Sequence, residues 1–350
     1  MDLLDGIKII DFTRLLPGPL ATHLLAQMGA EVIKIESPKR MDYVRVSGAQ
    51  VDGASVLFHQ LNHNKQWKLI DYNTEAGKTE ILELLKEADA VIEQFRPGAM
   101  EAWGLGYEQV KAIKPDIVYV SLTGYGQHND FSKEAGHDFN YLAYSGVMSL
   151  LSDEQGKPNV SDTQFADIAS SYTTVMATQA ALLKKARTGE GSFVDVAIAD
   201  AINPFLAVPH ALHKGGMNYQ VFNIINGKTT VNYAAYECAD GKWLSVAAME
   251  LKFWNNICEI VEKPEWKRES QLDLLTGIFD KSQVVDLFKA KTRDEWGAIF
   301  KGKDVCIAPI LEIGELESSH YHQNKETFEY FKTPNGTELT TVALPFKSKS

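Results

Sequence analysis

The sequence predicts an α/β protein: a Rossmann-like parallel-sheet large domain joined to a smaller α+β domain. Three observations carry this expectation. From residue 7 to about 126, short runs rich in β-branched and aromatic residues alternate with helix-like stretches, a spacing that implies parallel strands covered by helices. Beyond residue 225 the pattern changes to a hairpin, TTVNYAAYECADGKWLSVAAM around Asp240-Gly241, followed by helical segments. A chain of 350 residues is long enough for two such units.

In chain order the strands are read as IKIIDF (7–12), EVIKIE (31–36), QWKLID (66–71), AVIEQF (90–95) and DIVYVSL (116–122). Between the first two, PGPLATHLLAQMG reads as a helix with prolines at its start and Gly29 as its stop. NTEAGKTEILELLKEA reads as another, with Asn73 as N-cap. A long helix is expected from about Ala166 through ALLKKAR, with basic residues in its last turn and Gly189 as its stop. GSFVDVAIADA then reads as a strand feeding a helix. Pro204, Pro209 and Gly215-Gly216 mark 201–225 as a linker. Thr292-Arg293-Asp294-Glu295 is a capping box, and the final VALPFKSKS reads as a β-like return to the large domain. The expected domains are therefore 1–200 completed by 317–350, and 226–316.

Composition narrows the function. A formal net charge of −11 argues against general nucleic-acid binding, which needs a basic face. No apolar run reaches the roughly 18 residues of a membrane span. The N-terminal text MDLLDGIKIIDF has no basic n-region, so no secretory signal is expected. Cys238, Cys258 and Cys306 are widely spaced and show no metal-ligand spacing. They read as reduced thiols of a cytoplasmic protein with no metal site. The first strand ends in DFTRLLPGP rather than a glycine-rich phosphate loop, and G-x-x-x-x-G-K-[ST] is absent. Nicotinamide cofactors and nucleoside triphosphates therefore lose their sequence support.

The chemistry gathers in GHDFNYLAYSG, where His137 stands directly before Asp138, and in SDTQFADIASS, which places Asp167 30 positions after His137. Histidine can accept or deliver a proton near neutrality. Asp138 serves equally well as a turn or capping residue. Asp167, near the start of the long helix, either balances the helix dipole or acts on a substrate whose oxyanion the free backbone N–H groups stabilise. Glu250, in VAAMELKFW, falls at the junction of hairpin and helix, where the dipole also favours an acid.

Several stretches together resemble the family III CoA-transferase superfamily, which includes an α-methylacyl-CoA racemase branch. They are LLDGIKIIDFTRLLPGPLATHLLAQMGAEVIKIE, NKQWKLID, EQFRPGAM, VYVSLTGYGQ, QFADIASSY, GSFVDVAIADA and CIAPILEI, in the family's order. GHDFNYLAYSG and AAMELKF resemble the racemase branch. The resemblance implies an acyl-CoA thioester substrate, an interlocked homodimer and no cofactor beyond the CoA moiety. It implies one base at His137 beside Asp138, supported by Glu250, and the other at Asp167. It also matches Arg96 in FRPG to a CoA-binding arginine. Lys65 in HNKQW and Arg40 in SPKR are further phosphate candidates, and Tyr125 and Gln127 in TGYGQ are candidates for lining the acyl–pantetheine channel. Two positions depart from the family text: Ser37 follows the acid of the second strand, and INGKTTVNY replaces the usual racemase segment. In the alternative transferase reading Asp167 attacks the thioester, becoming an acyl-aspartyl anhydride and then an aspartyl-CoA thioester, and His137 has no necessary role.

Overall fold

The computed structural model describes residues 2–153, 155–216, 230–276 and 279–348. The chain divides into two compact units, Met1–Leu206 with Tyr321–Ser350, and Ala207–His320.

The first unit is built on a six-stranded sheet: β1 (Lys8–Phe12), β2 (Glu31–Glu36), β3 (Gln66–Leu69), β4 (Ala90–Glu93), β5 (Val118–Thr123) and β6 (Ser192–Ala197). Their order is β3-β2-β1-β4-β5-β6, and every pairing is parallel. The strands read as nearly continuous apolar runs because helices cover both faces. Ile9, Val32, Val118 and Val120 join one core with Leu24, Leu25, Val175 and Leu182. Their neighbours Ile10, Ile33, Val91 and Tyr119 point the other way, into a second core with Ile81 and Leu85. Strand order reverses between β1 and β4, which opens a crevice at the carboxyl ends of those strands.

The helices of this unit include α1 (Pro17–Gln27), α2 (Glu75–Lys86), α3 (Asp138–Ser145) and α4 (Phe165–Thr188). α1 begins on Pro17, where a missing N–H costs nothing. α4 stops at Gly189, whose φ of 72° a side chain would resist. The cap of α2 is Thr74, not Asn73: the Thr74 hydroxyl accepts the Gly77 N–H at 3.1 Å, while the Asn73 amide donates to Asp71 at 3.0 Å.

The C-terminal return is a hairpin formed earlier than VALPFKSKS. Strands Phe328–Lys332 and Glu338–Val342 pair antiparallel across a turn in which Gly336 has φ 90°. Among the described residues of the expected segment, only Val342 is in a strand.

The second unit carries an antiparallel sheet of Tyr233–Glu237, Trp243–Ala247 and Ile307–Ile310, with Gly241 at φ 74° in the hairpin turn. Its core includes Trp254, Tyr236, Phe288 and Trp296. The capping box forms as written: Thr292 N–H donates to Glu295 at 2.8 Å, and Glu295 N–H to the Thr292 hydroxyl at 3.3 Å. Part of the stretch read as a linker is helical, at Ala207–Lys214. Pro209 is tolerated there because it falls in the first turn, where N–H groups have no intrahelical acceptor. Residues 217–225 of that stretch, and 225–229 of INGKTTVNY, lie outside the described residues. Among the described residues no helix is long and apolar enough to cross a membrane.

Candidate functional site

A cavity of about 630 Å³ opens at the crevice created by the strand reversal. Arg14 and Leu15 reach it from the end of β1, Gln94 and Arg96 from the end of β4, and Thr123 and Gly124 from the end of β5. Arg40, His137 and Tyr141 complete much of the wall. Three guanidiniums thus face one space, and among the described residues no carboxylate pairs with any of them. The Arg14 guanidinium lies 5.9 Å from the ring centres of both Tyr43 and Phe95, within reach of a cation–π contact. Three guanidiniums against the single lining carboxyl of Glu134 suit a phosphate or carboxylate ligand, whose oxygens match their donors in pairs. Sequence reasoning found Arg40 and Arg96 but missed Arg14. Its signal was its place: it follows the first strand directly, at the end where such sheets receive ligands.

Lys65 takes no part in this wall. Its side chain is fully buried, and Nζ donates to Asp11 (3.2 Å), the Pro19 carbonyl (2.9 Å), the Thr22 hydroxyl (2.7 Å) and the Asn62 amide oxygen (3.0 Å). The expectation of a phosphate contact is corrected: these internal acceptors use up the ammonium. Burial alone would raise the Asp11 carboxyl. Lys65 and Lys34 beside it, and the hydroxyls of Thr13 and Thr22, outweigh burial and hold it below the ordinary carboxylate value.

His137 is exposed, immediately before α3, and its backbone N–H donates to the Asn140 side chain at 3.1 Å. Asp138 reaches across to α4: its Oδ1 accepts the N–H of Ala166 at 2.7 Å and of Asp167 at 3.1 Å. The two segments that the sequence separates by 28 and 29 residues are thereby tied at their first turns. This corrects the expectation that those N–H groups are free to hold an oxyanion, because Asp138 already occupies both. Burial pushes the Asp167 carboxyl up to about 7, and the Asp138 charge adds to the rise. His137 lines the cavity and Asp167 does not. Tyr141 connects them: it lines the wall, donates to the Gly136 carbonyl at 2.7 Å, and its phenol is pushed up to about 12 by burial and then by Asp167.

Tyr125 and Gln127 do not line this cavity. Tyr125 packs edge-on against Tyr141 and Tyr144. Gln127 faces inward, donating its amide to Ser121 at 2.6 Å and its N–H to Asp195 at 2.7 Å. Glu250 belongs to the second unit, where it is exposed at the residue preceding helix Leu251–Ile260. Among the described residues no group of three His, Cys, Asp or Glu side chains is arranged to hold a metal ion.

Fold and cavity together define an open α/β protein with an arginine-lined crevice at the carboxyl ends of its central strands. The chain belongs to CoA-transferase family III, whose model matches residues 4–350. It is 29% identical to α-methylacyl-CoA racemase from Homo sapiens, over 98% of this chain and 88% of that protein. It is 31% identical to succinyl-CoA:glutarate CoA-transferase from Homo sapiens, over 88% of this chain and 71% of that one. A crystal structure of a CaiB/BaiF family protein from Brucella suis superposes with a TM-score of 0.83 at 26% identity, covering 99% of this chain and 93% of the other. Members of this family are enzymes, named as racemases or as CoA-transferases.

Proposed function

We propose that the protein is an acyl-CoA racemase that inverts the C2 centre of a 2-methylacyl-CoA by two-base proton transfer. The observation that carries this reading is that His137 lines the cavity while its neighbour Asp138 ties the first turn of the Asp167 helix to the same segment. Burial, and then Asp138, also push the Asp167 carboxyl up to about 7. A group balanced between its two protonation states at neutral pH can both donate and accept a proton.

In this mechanism His137 removes the C2 proton from one face. The electron pair of the broken C–H bond moves into the C1–C2 bond and onto the thioester oxygen, giving an enolate. Asp167, protonated, returns a proton to the opposite face as the carbonyl re-forms, and the reverse direction exchanges the two roles. Burial supplies what an ordinary carboxyl lacks, a pKa high enough to hold that proton at pH 7. The arginines of the cavity would take the CoA phosphates, leaving the acyl end to pass Tyr141 toward Asp167. The chemistry needs no group beyond the substrate, and the proposal includes the homodimer implied by the sequence resemblance.

The 31% identity to a CoA-transferase favours a second reading, in which Asp167 attacks the thioester. Incubation with a 2-methylacyl-CoA in deuterated water, without an acceptor acid, separates the two. Deuterium entering C2, and its loss by at least about a hundredfold in His137→Ala, is the expected result. Absence of exchange, with Asp167 converted to its hydroxamate when hydroxylamine cleaves the activated carboxyl formed once an acid is supplied, would establish the transferase.

A further inference from the structure

We infer that Lys34 and Asp42 form a buried clamp that positions Arg14 at the cavity, making Arg14 a cation on which tight binding of a phosphate-bearing ligand depends. For the ligand's identity this rests on the acyl-CoA reading; the clamp itself stands on geometry.

Lys34 lies in β2 opposite Asp11 of β1, and its side chain is fully buried. Its Nζ donates to the Thr13 carbonyl at 2.6 Å and stands 3.6 Å from the Asp42 carboxylate, itself 1% exposed. Asp42 accepts the Leu15 N–H, with 3.2 Å to each oxygen. The backbone groups on either side of Arg14 are therefore each held by one member of the same ion pair. From β1, Asp11 takes the Thr13 N–H at 2.7 Å.

The turn needs this hold. Leu15 has φ 66°, a left-handed conformation that a leucine rarely adopts without being forced. The residue after Asp42 is Tyr43, one of the two rings flanking the Arg14 guanidinium. The clamp thus sets both the backbone of the arginine and one of its side-chain supports. A buried ion pair is a poor stabiliser compared with apolar packing, so its use here points to geometry. A cation held in place before the ligand arrives loses little freedom on binding.

The test uses the full-length protein, with coenzyme A as the probe in titration calorimetry. Arg14→Gln is expected to weaken binding about tenfold, the loss of one charge-assisted contact. Asp42→Asn should weaken it by a similar factor with an unchanged circular dichroism spectrum. The double variant should bind no worse than Arg14→Gln alone, because the clamp acts through that side chain. Should Asp42→Asn fail to fold, Lys34→Met/Asp42→Asn removes both charges at similar volume and enters the same cycle. If the unaltered protein does not bind coenzyme A, the acyl-CoA reading falls. If it binds but Arg14→Gln binds equally tightly, or the two losses multiply, the clamp inference is overturned while that reading stands.

Discussion

Asp11, near the end of β1, and Asp167, in the first turn of α4, are both withdrawn from water in the same unit, yet their carboxyls move in opposite directions. Around Asp11 the fold delivers Lys65 and Lys34 and two hydroxyl donors, which together overcome burial. Around Asp167 it delivers a second carboxylate, and burial prevails up to about 7. Desolvation is common to both sites, so the sign is decided by the charge of the neighbours. One aspartate becomes a fixed part of the scaffold that carries Arg14; the other becomes a group that can exchange protons.

The largest effect is expected at the scaffold. Asp11→Ala leaves the Lys65 ammonium buried without its carboxylate and should cost about 3–5 kcal/mol in urea unfolding at pH 7. A cost below about 1 kcal/mol would show that Lys65, which burial draws down toward 7, sheds its proton instead. Asp167→Asn should act in the opposite sense. The folded protein holds a proton at Asp167 up to about pH 7, whereas the unfolded chain releases it near 3.8. Wild-type stability is therefore lost as pH rises between those values. The asparagine variant escapes that loss and should be more stable by about 1–3 kcal/mol at pH 8, but no different at pH 3.5. Equal stability at pH 8 would remove the raised carboxyl from the mechanism. The smallest effect belongs to Asp138→Asn, which keeps an acceptor for the Ala166 and Asp167 N–H groups but loses the charge. The limb of the pH profile of deuterium exchange that reports Asp167 should shift down by less than about one unit. An unmoved limb would assign the whole rise to burial.

The strands from β1 to β5 were legible because their Ile- and Val-rich runs stand between clear helix signals. α4 and its stop at Gly189 were legible for similar local reasons. The C-terminal hairpin was read too late in the chain, although Pro334-Asn335-Gly336 already marked its turn. Arg40, Arg96 and His137 were picked out and do line the cavity. Lys65 was misread because a lysine in text carries no record of the Asp11, Thr22 and Asn62 that enclose it. Tyr125 and Gln127 do not reach the arginine-lined cavity: Tyr125 packs against Tyr141 and borders a separate cavity of about 400 Å³, and Gln127 bonds Ser121.

Sequence by itself determined the α/β class, the long helix that carries Asp167 and the family resemblance, because periodicity and motif order are local properties of the chain. The tertiary structure decided which charges meet. Asp138 caps α4 from 28 residues away, and Lys34 and Asp42 grip the peptide groups on either side of Arg14 from two different segments. Coulombic and desolvation energies depend on distances through space, and spacing along the chain leaves those distances open.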